Sequence, residues 1–207
     1  MVRPSDLTRR TILMTSMLSS IATAVTAAPT VGQSRRQEGE KSLVVYFSRS
    51  GNTQVIAGVI SRSLGADLFE IEPVKPYPAD YFETVELARR ERESGYVPAL
   101  KARVPDIAAY QTIFLCFPIW GETAPSVIRS FLAAHDLSAK TLVPVITHGG
   151  YGLGSSLAVL RSHAPTARLL DGFTMQGPQE RETTTRVTEW LNNGHRPTRP
   201  ETSGRER

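Results

Sequence analysis

The chain has 207 residues, 40% of them hydrophobic and 21% charged, which is enough for one domain with a full core and spare length at its ends. A net charge of +4 and a pI of 9.5 would suit a nucleic-acid binder, but the excess is misplaced for that role. Residues 1–39 hold five Arg against two acids and residues 194–207 four Arg against two Glu, so the body keeps 15 basic and 16 acidic side chains. With no basic stripe in that body, no nucleic-acid partner is expected.

In chain order, residues 1–28 read as an export signal. Thr8-Arg9-Arg10-Thr11-Ile12-Leu13-Met14 carries the paired arginines of a twin-arginine leader. A mild apolar stretch, Ile12 to Ala28, follows, with small residues for cleavage at Ala22-Thr23-Ala24 or Val25-Thr26-Ala27. The stretch is short and rich in Ser and Thr, so no permanent membrane span is expected. A general secretion signal that happens to hold two arginines is the alternative. Either form predicts a protein placed in the periplasm or elsewhere outside the cytoplasm, and the paired arginines point to a bacterial source. The twin-arginine route carries folded proteins, so a cofactor could travel inside. Residues 29–41 form a linker without periodicity, and residues 194–207 a tail with no apolar anchor. The domain proper is 42–193.

Within it, strand and helix periods alternate. Leu43–Ser48 is a continuous apolar run, hence a central strand, and Thr53–Leu64 a helix. Asp67–Ile71 is a shorter strand, and Asp80 to about Ser94 a charged helix. That helix sets Tyr81, Val85 and Ala88 on one face and leaves Arg89 to Glu93 in solvent. Thr112–Phe117 is a third strand, Ala124–Ala134 a helix, and Thr141–Thr147 a fourth strand in which Pro144 is awkward. Leu153–His163 is a helix, Arg168–Met175 the fifth strand, and Glu180–Asn192 the last helix. Cys116, the one cysteine, falls in the third strand as a small core residue and forms no intrachain disulfide. Five strands alternating with helices predict an α/β fold, a doubly wound parallel sheet in three layers.

Ligands in such sheets sit at the carboxyl ends of strands. The first strand ends in Ser48-Arg49-Ser50-Gly51-Asn52-Thr53, a loop of hydroxyls, glycine and amide that opens a helix. Hydroxyls, a close-approaching backbone and free helix N–H groups together suit a phosphate monoester. No Lys closes the loop, so the triphosphate-binding motif does not fit. The third strand ends in Pro118-Ile119-Trp120-Gly121-Glu122-Thr123, placing an indole where burial is not its evident purpose. The fourth ends in His148-Gly149-Gly150-Tyr151-Gly152-Leu153-Gly154, where glycines let the backbone lie against a flat ligand and a tyrosine can stack. The second and fifth strand ends read as plain turns. Gly150-x-Gly152-x-Gly154 mimics a dinucleotide fingerprint but has the wrong spacing and follows the wrong strand. His148 reads as a loop residue bonded to backbone more readily than as a proton donor.

The hydroxyl loop, with Lys75-Pro76-Tyr77-Pro78-Ala79-Asp80-Tyr81, Phe117-Pro118-Ile119-Trp120 and Thr147-His148-Gly149-Gly150-Tyr151-Gly152-Leu153-Gly154, resembles one branch of the flavodoxins, which bind flavin mononucleotide (FMN). The resemblance covers roughly residues 42–192. It implies the strand order 2-1-3-4-5 for a five-stranded sheet. It also implies a cofactor-binding loop of Ser48, Arg49, Ser50, Gly51, Asn52 and Thr53, in which Ser48, Ser50, Asn52 and Thr53 hold the phosphate. Ring contact would fall to Pro118, Ile119, Trp120 and Gly121 on one side and to His148, Gly149, Gly150, Tyr151 and Gly152 on the other. Two departures stand out: the body is nearly neutral where many flavodoxins are acidic, and Arg49 puts a cation in the phosphate loop, where it either pairs with the phosphate or, the favoured reading, points into solvent. No catalytic or metal-ligating residue is implied. The expected function is an FMN-binding electron carrier working with redox partner proteins. The alternatives are an FMN-dependent oxidoreductase acting on a quinone or other small-molecule acceptor, and a flavin-less binding module.

Overall fold

A computed structural model describes residues 41–150, 152–177 and 180–194, the side chains of 180–183 excepted. The export signal, the linker up to residue 40, the tail beyond Gly194 and Tyr151 lie outside the described residues. Strands β1 (Ser42–Tyr46), β2 (Asp67–Glu70), β3 (Thr112–Pro118) and β4 (Thr141–His148) pair in parallel in the order β2-β1-β3-β4. The fifth position, beside β4, is filled by two short strands, β5 (Arg168–Leu169) and β6 (Phe173–Gln176). This is the 2-1-3-4-5 order that the resemblance implied.

The central strands are apolar on both sides because both faces are covered. Val44, Tyr46, Phe114, Cys116 and Val145 point to one face, where helices α1 (Asn52–Leu64) and α5 (Glu180–Asn192) close over them through Ile56, Ile60, Val187 and Leu191. Leu43, Val45, Leu115, Phe117 and Ile146 point to the other, with Val127, Ile128 and Phe131 of α3 (Ser126–Ala134) and Leu160 of α4 (Ser156–His163). Full burial of each such side chain contributes about 1.5–3 kcal/mol. Cys116 is wholly buried and unpaired, and burial pushes its thiol above the ordinary range. Among the described residues no helix is long and apolar enough to cross a membrane.

The fifth strand departs from the single run expected, and Pro144 explains the break. Pro144 sits within β4, opposite Leu115 of β3. Leu170 N–H bonds the Leu142 carbonyl at 3.0 Å, so Leu142 turns its polar groups toward β5. Pro144, two residues on, turns the same way and has no N–H to offer. Beyond the Leu170 bond the neighbouring chain leaves the strand, and regular pairing resumes only at Phe173. Gly172 lies so close to the Pro144 carbonyl that a methyl there would overlap it.

Helix α2 (Tyr81–Ser94) starts where Asp80 accepts the Glu83 N–H at 2.8 Å and stops at Gly95 in the left-handed region. Its buried residues are not the expected apolar ones. Tyr81 and Val85 are exposed, whereas Thr84 and Glu91 are the side chains turned inward.

Candidate functional site

The β1–α1 loop is open for a ligand at three points. Gly51 takes φ 87° and caps α1, and no side chain caps it, so Ser50 does not serve as the cap. The first N–H groups of α1 are therefore left to face the loop. The Ser48 hydroxyl is buried and has no hydrogen-bond partner among the described residues. Buried hydroxyls are rarely left in that state, so a bound group or a water is expected to satisfy this one. Ser50 and Asn52 line a cavity of about 360 Å³ at the carboxyl end of the sheet, within the size range of small-molecule clefts. Thr53 is placed differently: it is buried, and its hydroxyl shares a 2.9 Å hydrogen bond with Thr147, joining β4 to the loop. Arg49 does not simply face solvent. Its guanidinium donates to the Ala79 carbonyl at 3.0 Å and lies over the Tyr81 ring.

The same cavity reaches the other two loops. Pro118, Ile119, Trp120 and Gly121 line one flank, and His148 and Gly149 another. Gly150 and Gly152, both at positive φ, shape the turn behind them, and Gly150 donates its N–H to His148 Nδ1 at 3.1 Å. That contact makes His148 a loop-bracing residue. Trp120 is half-buried and has a packing role as well: Tyr77 meets it edge-on at 4.7 Å and Phe47 at 5.2 Å. Trp120 N–H bonds the Thr123 carbonyl at 3.0 Å across Gly121 (φ 57°) and Glu122 (φ 64°), a tight turn with two left-handed residues. Such a conformation at Glu122 persists only when its surroundings hold it. Here Ser155 N–H grips the Glu122 carbonyl at 2.8 Å, and Gly154 packs so closely that a methyl would overlap that carbonyl. The two ring-side loops are thus clamped together.

The fourth wall is α2, whose Arg89 to Glu93 the sequence reading left in solvent. Tyr81, Thr84, Val85, Ala88, Arg89 and Arg92 all line the cavity. Their spacing, i, i+3, i+4, i+7, i+8, i+11, is one helical face. The periodicity was visible, but the face borders the cavity instead of the core. Gly177, after β6, also lines it and packs against Asn52, so the fifth strand end is no plain turn. No carboxylate is found among the described lining residues, while three guanidiniums are. Arg89 is neutralised by Glu86 and Glu93. Hydrogen bonds from Arg89 and Arg90 hold the Glu86 carboxyl down to about 2. Arg92 has no ion pair among the described residues, and its guanidinium fills the space a Gly121 side chain would need.

What fixes α2 over the cavity is a buried pair. Tyr77 donates its hydroxyl to Glu91 Oε2 at 2.8 Å, with Glu91 6% exposed. Burial pushes the Glu91 carboxyl above its usual range, partly offset by hydrogen bonds from Tyr77 and Ser126. Burial, reinforced by Glu91, likewise raises the Tyr77 phenol. Tyr77 therefore links α2 to the Trp120 ring.

Residues 41–194 match the family model described as Flavodoxin. No curated protein matches the chain. Among solved structures, a candidate flavoprotein from Bacteroides eggerthii is 30% identical over 74% of this chain and 96% of its own, with a TM-score of 0.65. One from Bacteroides uniformis is 29% identical over 75% and 99%, with a TM-score of 0.67. A flavoprotein from Lactobacillus acidophilus, solved in complex with FMN, is 19% identical over 73% and 99% with a TM-score of 0.61 and shares the fold. A family match across three quarters of the sequence, on a 2-1-3-4-5 sheet with an open cavity at its switch point, shows that the chain belongs to the flavodoxin family.

Proposed function

We propose that the chain binds FMN in this cavity and works as an exported electron carrier. The observation that carries the reading is the Ser48 hydroxyl, buried and unpartnered beside an uncapped α1, on the loop that supplies Ser50 and Asn52 to a cavity also lined by Trp120 and glycines. Ser48, Ser50, Asn52 and the α1 N–H groups would hold a phosphate. Pro118 to Gly121 and His148–Gly149 would flank the ring, and the α2 face would keep water from it. When bound, the flavin supplies the redox chemistry, while the chain supplies position and electrostatics. The FMN complex of the Lactobacillus acidophilus protein supports the choice of cofactor. Tyr81 and Val85, on the cavity wall, and Phe82, in ring contact with Tyr81, are 60%, 47% and 78% exposed, an apolar rim suited to a protein redox partner.

Protein purified without added cofactor is expected to be yellow, with a flavin absorption band. A colourless preparation that FMN cannot reconstitute would overturn the reading in favour of a flavin-less module. An FMN-dependent oxidoreductase is the second reading, favoured by the cationic wall beside the ring-side loops. Rapid steady-state turnover of a quinone with a nicotinamide donor would select it. Export follows from the paired arginines: replacing Arg9 and Arg10 together with Lys is expected to hold the protein in the cytoplasm, measured by cell fractionation.

A further inference from the structure

Behind the Trp120–Thr123 turn lies a second cavity of about 410 Å³, lined by Arg92, Glu122, Thr123, Arg129 and Ser155 among others. Arg92 and Gly121 belong to both cavities, so one guanidinium lying on a glycine separates the two chambers. Three donors here lack acceptors among the described residues. Arg92 has no ion pair among the described residues. Arg129 Nε is buried without a partner. The Thr123 hydroxyl accepts from Ser155 Oγ at 2.8 Å, which leaves its own proton to give. Glu122 is the one carboxylate in the lining; it is exposed and pairs with neither arginine. Its carbonyl is already occupied by Ser155. Clustered donors with no acceptor, two of them guanidiniums, are a site for an oxyanion.

We propose that this cavity binds the carboxylate or phosphate group of a small molecule, and so places that molecule beside the flavin at Gly121. The placement beside flavin rests on the function proposed above; the anion site itself does not. Guanidinium forks suit such groups in two-point contact, and the pair stands off the β1–α1 loop, so the anion would not compete with the FMN phosphate.

The test is calorimetric titration of the full chain, with FMN saturating, using benzoate and inorganic phosphate as separate probes. One saturable site is expected for at least one probe, and the stronger of the two names the anion. Arg129→Met and Thr123→Val should weaken it by tenfold and severalfold, respectively, with the flavin band unchanged. Arg129→Lys should recover phosphate better than benzoate, because an ammonium cannot form the planar fork. Thermal unfolding of each variant confirms that it is folded. No saturable site for either probe, or binding unchanged by both Arg129→Met and Thr123→Val, would overturn the proposal. So would binding that appears without FMN and vanishes when FMN is added, since the anion would then sit in the phosphate loop. If FMN never binds, the same titration still reads the anion site, so the two failures are distinguishable.

Discussion

The two ends of the main cavity are built by opposite means. The phosphate end is local: Arg49, Ser50 and Asn52 line it from within four consecutive positions on one strand–helix turn, next to Ser48. The ring end is assembled from three remote segments and depends on long-range contacts. Gly154 and Ser155 clamp the Trp120 turn, and Tyr77–Glu91 holds α2 against it. The contrast implies that the phosphate end tolerates changes elsewhere, while the ring end couples ligand affinity to stability.

The sharpest way to break that contrast is Gly154→Ala. The added methyl meets the Glu122 backbone, which cannot swing aside, and the position has φ 50°. Overpacking of this kind is expected to cost about 3 kcal/mol, read by denaturant unfolding. A wild-type midpoint would show that the loops are not clamped. Next comes Tyr77→Phe, which leaves the buried Glu91 carboxyl short of a donor and should cost about 1–3 kcal/mol.

Glu91 also gives the fold a pH signature. Its carboxyl is raised in the folded state, so its contribution is fully present below the ordinary carboxylate range and is lost as pH rises through the raised value. Glu91→Gln should flatten that falling limb in melting temperature against pH. A limb of unchanged slope would assign the titration to another group.

Smaller effects separate the ends by ligand. Ser50→Ala or Asn52→Ala should weaken FMN about tenfold, near 1.4 kcal/mol, while leaving riboflavin, which lacks the phosphate, unaffected. Trp120→Ala should weaken both ligands alike and shift the reduction potential. Equal losses for FMN and riboflavin in the Ser50 variant would place the phosphate elsewhere. Arg92→Met should move the flavin potential negative, because a cation near the ring favours the more negatively charged reduced form. Least affected is Arg89→Ala: its exposed pairs with Glu86 and Glu93 are screened, and the melting temperature should not change measurably.

This division also explains what could be read in the sequence. Strand runs such as Leu43–Tyr46 and Thr112–Phe117 are buried on both faces, so hydrophobicity alone reveals them, and with the alternating helices they suffice for the fold class. The β1–α1 loop was legible because its chemistry is contiguous. The α2 wall was not. Its charged residues pair within the helix in the ordinary solvent-facing manner, and nothing local says that Arg92 turns instead onto a glycine 29 positions away. Glu91 was hidden for a related reason: a carboxylate predicts exposure unless its partner is known, and Tyr77 lies in another segment. Pro144 gave the clearest hint of trouble, but only the pairing with β5 and β6 shows where it was resolved.

That resolution reaches beyond the single molecule. A long unbroken outer border would present a ready template for another chain, and parallel sheets expose such borders while they assemble. Here the border next to β4 is two short lengths, Arg168–Leu169 and Phe173–Gln176, separated by residues outside either strand, so an incoming strand would find only a short ladder to extend. The proline that interrupts the sheet from within therefore also shortens the edge it leaves open.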